Sequence, residues 1–197
     1  MNLPNKLTVS RFVLTALFLV VLFTQWPGHQ TLALVLFAAA GLTDFLDGRI
    51  ARQRRLITNF GILMDPLADK ILTSSAFIAF VGLGLMPAWM AVVIVARELA
   101  ITGLRMLAAS KNLVLAAEGF GKHKTISQIV AICAVLTTQA YPQWGRFGEL
   151  VFGFPVVGQA PWAQSFTQLA LWVAVALTIF SGGVYLWRNR EVYLRDM

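Results

Sequence analysis

The sequence predicts an all-α integral membrane protein with six transmembrane helices, and three observations predict it. Of 197 residues, 58% are hydrophobic and only 13% charged, about half the charged share of an ordinary soluble domain. The apolar residues gather into six runs of the length needed to cross a bilayer, about 20 residues each. Of only nine acidic residues, four, Asp44, Asp47, Asp65 and Asp69, fall within one 26-residue stretch at the ends of the second and third runs. A mean hydropathy of +0.71 makes the bilayer the solvent for most of the chain, and the length suits a single transmembrane domain over residues 1–197.

The first span is expected at about 10–26. Lys6 and Arg11 ahead of the apolar stretch Phe12 to Phe23 mimic a signal peptide, but Gln25-Trp26-Pro27-Gly28 follows where small residues would mark cleavage. The segment therefore reads as a retained helix. Further spans are expected at about 31–53, 61–85, 87–109, 123–141 and 164–187. Pro27-Gly28, Met86-Pro87 and Tyr141-Pro142 break the chain on one side of the bilayer. Gly, Pro and Gln interrupt the pattern in 110–122 and 142–163, which carry no readable element. The lone Cys133 excludes an intrachain disulfide or a cysteine metal site.

Charge sets the orientation. Lys6 and Arg11, then Arg49, Arg52, Arg54 and Arg55, then Lys111, Lys122 and Lys124, then Arg188, Arg190 and Arg195 all fall on one side. The opposite connections offer His29, Arg146 and Glu149. By the positive-inside rule both termini face the cytoplasm. The net charge of +7 is thus spread over span ends and short loops, without the basic arm that a nucleic-acid partner would call for. Nothing resembles a transit peptide, so a bacterial plasma membrane is expected.

Four acids stand where acids are costly. Asp44 and Asp47 lie at the end of the second span, and Asp65 and Asp69 at the start of the third. The fourth span turns from apolar to ionisable at Arg97, Glu98 and Arg105. An ionised side chain at membrane depth costs roughly 2.5–3.5 kcal/mol even on insertion scales, so three such helices must converge on a shared polar cavity open to the cytoplasm. Asp44 and Asp47 are spaced three apart, with Gly48, Ala51 and Arg52 continuing their helical face; Asp65 and Asp69 are spaced four apart, with Gly61 one turn earlier. Four gathered carboxylates need cations, and with no His or Cys nearby an all-oxygen site suits Mg²⁺ or Mn²⁺. Two such ions bridged by carboxylates suit phosphoryl-type transfer. Gly48 and Ala51 would let a bulky ligand approach the backbone.

The stretch Asp44-Phe-Leu-Asp47-Gly48-Arg-Ile-Ala51-Arg52, then eight residues and Gly61-Ile-Leu-Met-Asp65-Pro-Leu-Ala-Asp69, resembles the signature of the CDP-alcohol phosphatidyltransferases at every position of the pattern. The resemblance implies six transmembrane helices, a two-metal site and a homodimer. It implies that Asp44, Asp47, Asp65 and Asp69 hold metal, that Asp69 also deprotonates the acceptor hydroxyl, and that Gly48, Ala51, Arg52 and Gly61 meet the CDP group of CDP-diacylglycerol. Asn5 and Thr8, in Pro4-Asn5-Lys-Leu-Thr8-Val-Ser-Arg11, match the segment that packs beside the nucleotide; a helix cap and a positive-inside anchor would look the same.

Two further stretches, Arg97-Glu98-Leu-Ala-Ile-Thr-Gly103-Leu-Arg105 and Gly121-Lys122-His-Lys124-Thr125-Ile-Ser-Gln128, resemble the branch of the family whose acceptor is sn-glycerol 3-phosphate. Arg105, Lys122 and Lys124 would suit its roughly two negative charges. Lys122 and Lys124 read equally as positive-inside charges. Other acceptors, serine or inositol phosphate, stay open within the family. From a different class, a divalent-cation transporter would also explain acids in a membrane, though not Gly48, Ala51 and Arg52. Glu98 beside Arg97 reads as a structural buried pair or an orienting group, His123 as a bystander, and Trp144, Trp162 and Trp187 as interface anchors.

Overall fold

A computed structural model of the chain describes the backbone of residues 3–54, 59–111, 113, 120–157 and 159–194, and the side chains within them except 3–8, 44–54, 59–66, 69, 120–122, 157, 191 and 194. The elements are α1 (Leu3–Phe23), α2 (His29–Arg54), α3 (Asn59–Gly82), α4 (Ala88–Ser110), α5 (Phe120–Ala140), a 3₁₀ turn (Tyr141–Trp144), α6 (Gly145–Phe152), β1 (Pro155–Val157), β2 (Ala160–Pro161), α7 (Trp162–Arg188) and α8 (Arg190–Leu194). The six expected long helices are α1 to α5 and α7. Their breaks fall at the expected residues: Gly28 takes a φ of 92° between α1 and α2, and Pro87, extended at φ −69° and ψ 140°, precedes α4. α1 begins at Leu3, well ahead of the expected start, because its first turns are polar and invisible to hydropathy.

Among the described residues, α7 is long and apolar enough throughout to cross a membrane, and shorter apolar stretches run Val9–Phe23, His29–Thr43 and Lys70–Gly82. In the sequence, α2 is apolar from Leu32 to Leu42 and turns polar at Thr43-Asp44, and α3 carries Asp65, Asp69 and Lys70 ahead of a mostly apolar remainder. Each of these two helices is thus divided into an aspartate-bearing end and a greasy end.

The greasy ends pack together. α1 lies against α2 and α3, α5 against α2, α3 and α7, and α4 against α3 and α7. Phe18, Phe37, Phe77, Phe80, Ile132, Leu136 and Leu171 are buried in one apolar core, with Phe18 and Phe37 rings 5.8 Å apart. Around this core the bundle turns large apolar side chains outward, among them Val20, Val35, Ile78, Val92, Met106, Leu169 and Phe180. An apolar girdle of that extent on a helical bundle fits contact with lipid.

The end opposite the aspartates is tied across helices. Trp144 Nε1 donates to Thr31 Oγ1 at 2.9 Å and Gln143 Nε2 to Gln30 Oε1 at 3.0 Å, joining the 3₁₀ turn to the start of α2. The unreadable segment 142–163 is ordered by aromatic packing: Phe152 stacks on Trp162 with ring centres 5.8 Å apart, and Trp162 Nε1 donates to the Val151 carbonyl at 2.7 Å. A Cβ on Gly148 would sit 2.0 Å from the Tyr141 carbonyl oxygen, so only glycine lets α6 close onto the turn. The antiparallel pair β1–β2, with Pro155 opposite Pro161, adds a hairpin to a fold expected to be all helical. Trp144 and Trp162 are therefore parts of a packed cluster, whereas Trp187 is 71% exposed, with the Arg190 guanidinium 4.8 Å above its ring.

Candidate active site

The backbone gathers the candidate residues at one end of the bundle. Asn5 and Thr8 lie in α1; Asp44, Asp47, Gly48, Ala51 and Arg52 in α2; Gly61, Asp65 and Asp69 in α3; Arg105 in α4; Lys122 and Lys124 in α5. α1 and α5 each pack on both α2 and α3, so the two aspartate-bearing helices flank a common pair. By helical register Asp44 shares a face with Asp47, and Asp65 with Asp69. The side chains of Asn5, Thr8, Asp44, Asp47, Gly48, Ala51, Arg52, Gly61, Asp65, Asp69 and Lys122 lie outside the described residues; Arg105 and Lys124 are described in full.

Arg11 adds a basic group to this end. It is 1% exposed, and a guanidinium held so far from water must be met by protein groups. A simple topology anchor would reach outward instead.

Beside the aspartate helices runs a polar network that joins four helices. Glu98 Oε1 on α4 accepts from Arg97 Nη1 at 3.3 Å and from Lys124 Nζ on α5. Arg97 Nη2 donates to Ser181 Oγ on α7 at 3.4 Å. One turn along α5, Gln128 Nε2 donates to Thr178 Oγ1 on α7 at 3.0 Å. From α3, Lys70 Nζ donates to Thr102 Oγ1, which itself donates to the Glu98 carbonyl at 2.7 Å. Glu98, Lys124, Gln128, Thr178 and Ser181 are all buried. In a medium without water such groups hold only because they answer one another. The pairing of Glu98 with Arg97 is thus present, and Lys124 enlarges it into a three-way contact.

Arg105 stands nearer the surface. Its Nε donates to Tyr185 Oη at 3.2 Å, with the guanidinium 5.6 Å from the ring centre, while Lys111 Nζ ties the end of α4 to the Val192 carbonyl of α8 at 2.7 Å. His123 is exposed.

The α7 partners were legible in principle. Thr178, Ser181, Gly182 and Tyr185 are spaced three, four and seven residues from the first, a polar and small stripe on one helical face. In an apolar span such a stripe marks contact with other polar helices. Gly182 belongs to it for a steric reason: a Cβ there would lie 2.8 Å from Arg97 Cγ. Gly182→Ala is accordingly expected to push Arg97 off Ser181 and to lower stability by about 1–3 kcal/mol, read as a fall in thermal midpoint in detergent; an unchanged midpoint would show that Arg97 moves freely.

By residue type, the four aspartates of α2 and α3 are oxygen donors of the kind hard divalent ions take, and Arg105 on α4 and Lys124 on α5 are cationic.

Comparison with known proteins shows what the chain is similar to. The family model described as CDP-alcohol phosphatidyltransferase matches residues 1–180. The chain is 41% identical over 202 residues to a CDP-diacylglycerol--glycerol-3-phosphate 3-phosphatidyltransferase of Bacillus subtilis, covering 96% of each chain. It is 34% identical to a protein of that name from Mycoplasma pneumoniae, covering 93% of this chain and 86% of the relative. A Rickettsia bellii protein, again so named, is 30% identical with 93% of each chain covered.

Proposed function

Because the chain belongs to the CDP-alcohol phosphatidyltransferase family, we propose that it transfers the phosphatidyl group of CDP-diacylglycerol to sn-glycerol 3-phosphate, giving phosphatidylglycerophosphate and CMP. The observation that carries this reading is the spacing of Asp44, Asp47, Asp65 and Asp69 on two helices at one end of an apolar bundle. The names of relatives that align along nearly their whole length support the acceptor.

The protein would lie in a bacterial plasma membrane with six spans, α1 to α5 and α7, and with both termini and the aspartate end in the cytoplasm. It would act as a homodimer. Asp44, Asp47, Asp65 and Asp69 would hold two Mg²⁺ or Mn²⁺ ions, which supply neutralisation of the diphosphate and polarisation of its β-phosphorus. Gly48, Ala51 and Gly61 leave room for the CDP group, Arg52 meets its diphosphate, and Asn5 and Thr8 border the nucleotide. The acyl chains stay in lipid against the exposed apolar girdle.

Arg105, Lys122 and Lys124 bind the acceptor phosphate and so orient its 1-hydroxyl. Asp69 takes the hydroxyl proton as that oxygen bonds to the β-phosphorus. The bond from the β-phosphorus to the bridging oxygen breaks, and CMP departs with that oxygen. Orientation and charge stabilisation do nearly all the work in such a transfer.

A cation transporter would need a polar path through the bundle. The described far half of the bundle is instead filled by the Phe18, Phe37, Phe77 and Phe80 core, which favours the enzyme. The deciding experiment is CMP release from CDP-diacylglycerol by purified protein, with glycerol 3-phosphate, serine and inositol phosphate offered in turn. Release driven by glycerol 3-phosphate alone is expected. Release driven only by another alcohol would reassign the acceptor, and no release with any of them would overturn the transferase reading.

A further inference from the structure

Lys124 matches a basic position of the glycerol 3-phosphate branch, yet the residue is only 5% exposed and its ammonium is bonded to Glu98 on the neighbouring helix. Lysine has four rotatable carbons and a strongly hydrated head. Left to itself near the membrane surface, it would reach for water. Here it is drawn inward, and the group that draws it is a carboxylate whose own position is set by Arg97 at 3.3 Å. Arg97 in turn is held between Glu98 and Ser181, over the space that Gly182 leaves.

The depth of this pair is informative. Lys70 follows Asp69 directly on α3, and its ammonium reaches Thr102 Oγ1 on α4. Thr102 then bonds back to the Glu98 carbonyl, one helical turn away. Allowing one turn for the reach of Lys70 and one from Thr102 to Glu98, Glu98 and Lys124 lie within about two turns of the level at which α3 carries Asp69. A lysine meant only to mark the cytoplasmic side has no reason to be held at that level. One carboxylate between two cations also fixes both side chains without cancelling the charge of both.

We propose that Glu98 is a positioning residue for the acceptor: it holds the Lys124 ammonium against α4 on the aspartate side of the bundle, so that the phosphate of glycerol 3-phosphate meets a cation already in place. Glu98 acts through Lys124 and does not touch the reacting atoms. This inference rests on the reading of glycerol 3-phosphate as acceptor. Preorganisation of this kind strengthens binding of the acceptor and leaves the donor nucleotide unaffected.

The test compares steady-state kinetics of purified wild type, Glu98→Gln, Glu98→Asp, Lys124→Gln and the double variant Glu98→Gln/Lys124→Gln. A misplaced charge-assisted contact is expected to raise KM for glycerol 3-phosphate about tenfold in Glu98→Gln, with KM for CDP-diacylglycerol nearly unchanged. Glu98→Asp, which keeps the charge, should recover part of the loss. In the Lys124→Gln background the Glu98 substitution should add nothing further, because its route of action is gone. The double variant removes the buried ammonium together with its carboxylate, so the comparison with Lys124→Gln stands even if Glu98→Gln alone folds poorly. An acceptor KM unchanged by Glu98→Gln would overturn the inference. So would a loss shared equally by both substrates, or additive effects of the two substitutions. Wild type releasing no CMP with glycerol 3-phosphate would instead overturn the acceptor assignment and the inference with it.

Discussion

Asp69→Asn is expected to lower kcat by about three orders of magnitude or more, the scale of losing a general base in a positioned site. The substitution keeps volume and hydrogen-bonding reach but removes the proton acceptor. The fold should survive it. Asp69 sits inside α3, Asn is tolerated in a helix at the cost of a few tenths of a kcal/mol, and the adjacent Lys70 keeps its tie to Thr102 on α4. Binding of CDP-diacylglycerol should persist, because three other carboxylates would still hold cations for the diphosphate and Arg52 remains to meet it. CMP release and equilibrium binding of the lipid nucleotide, measured on the same preparation, separate the two effects. Undiminished transfer by the Asp69→Asn variant would remove Asp69 from the chemistry.

Chelation by EDTA should stop transfer altogether, with Mg²⁺ or Mn²⁺ restoring it. Asp44→Ala and Asp65→Ala should each cost about a hundredfold in rate and move the activating metal concentration upward, since an all-oxygen site loses affinity steeply with each carboxylate removed. A second readout does not depend on turnover. A metal that binds the folded state raises its thermal midpoint by mass action, so wild type should be stabilised by millimolar Mg²⁺ and the two variants much less. Equal metal response in wild type and variants would place the ions elsewhere, or nowhere.

The expected helices were legible because long apolar runs and their Pro or Gly breaks are local signals. α2 turns polar at Thr43-Asp44, and α3 turns mostly apolar after Lys70, a division visible from residue types alone. The segment after Tyr141 was not legible for the opposite reason. Its short elements are defined by contacts made at a distance, such as Gly148 on the Tyr141 carbonyl and Phe152 on Trp162, with too few residues for any periodicity. Of the site, Glu98 was visible as an anomaly beside Arg97, but its bond to Lys124 crosses from α4 to α5 over a stretch with no readable element. The stripe Thr178, Ser181, Gly182 and Tyr185 carried a usable signal, submerged in the high hydropathy of α7.

The aromatic and aliphatic packing above the aspartates has a consequence for the cell that houses the protein. A membrane that stores energy as a proton gradient tolerates no leak, and the proposed cluster of carboxylates and cations would be an invitation to one. Phe18, Phe37, Phe77, Phe80, Ile132 and Leu136 form one buried apolar core, so on the proposed reading an ion that entered from the aspartate side would find a blind end. Lipid headgroups could then be built at the surface of an energised membrane without short-circuiting it.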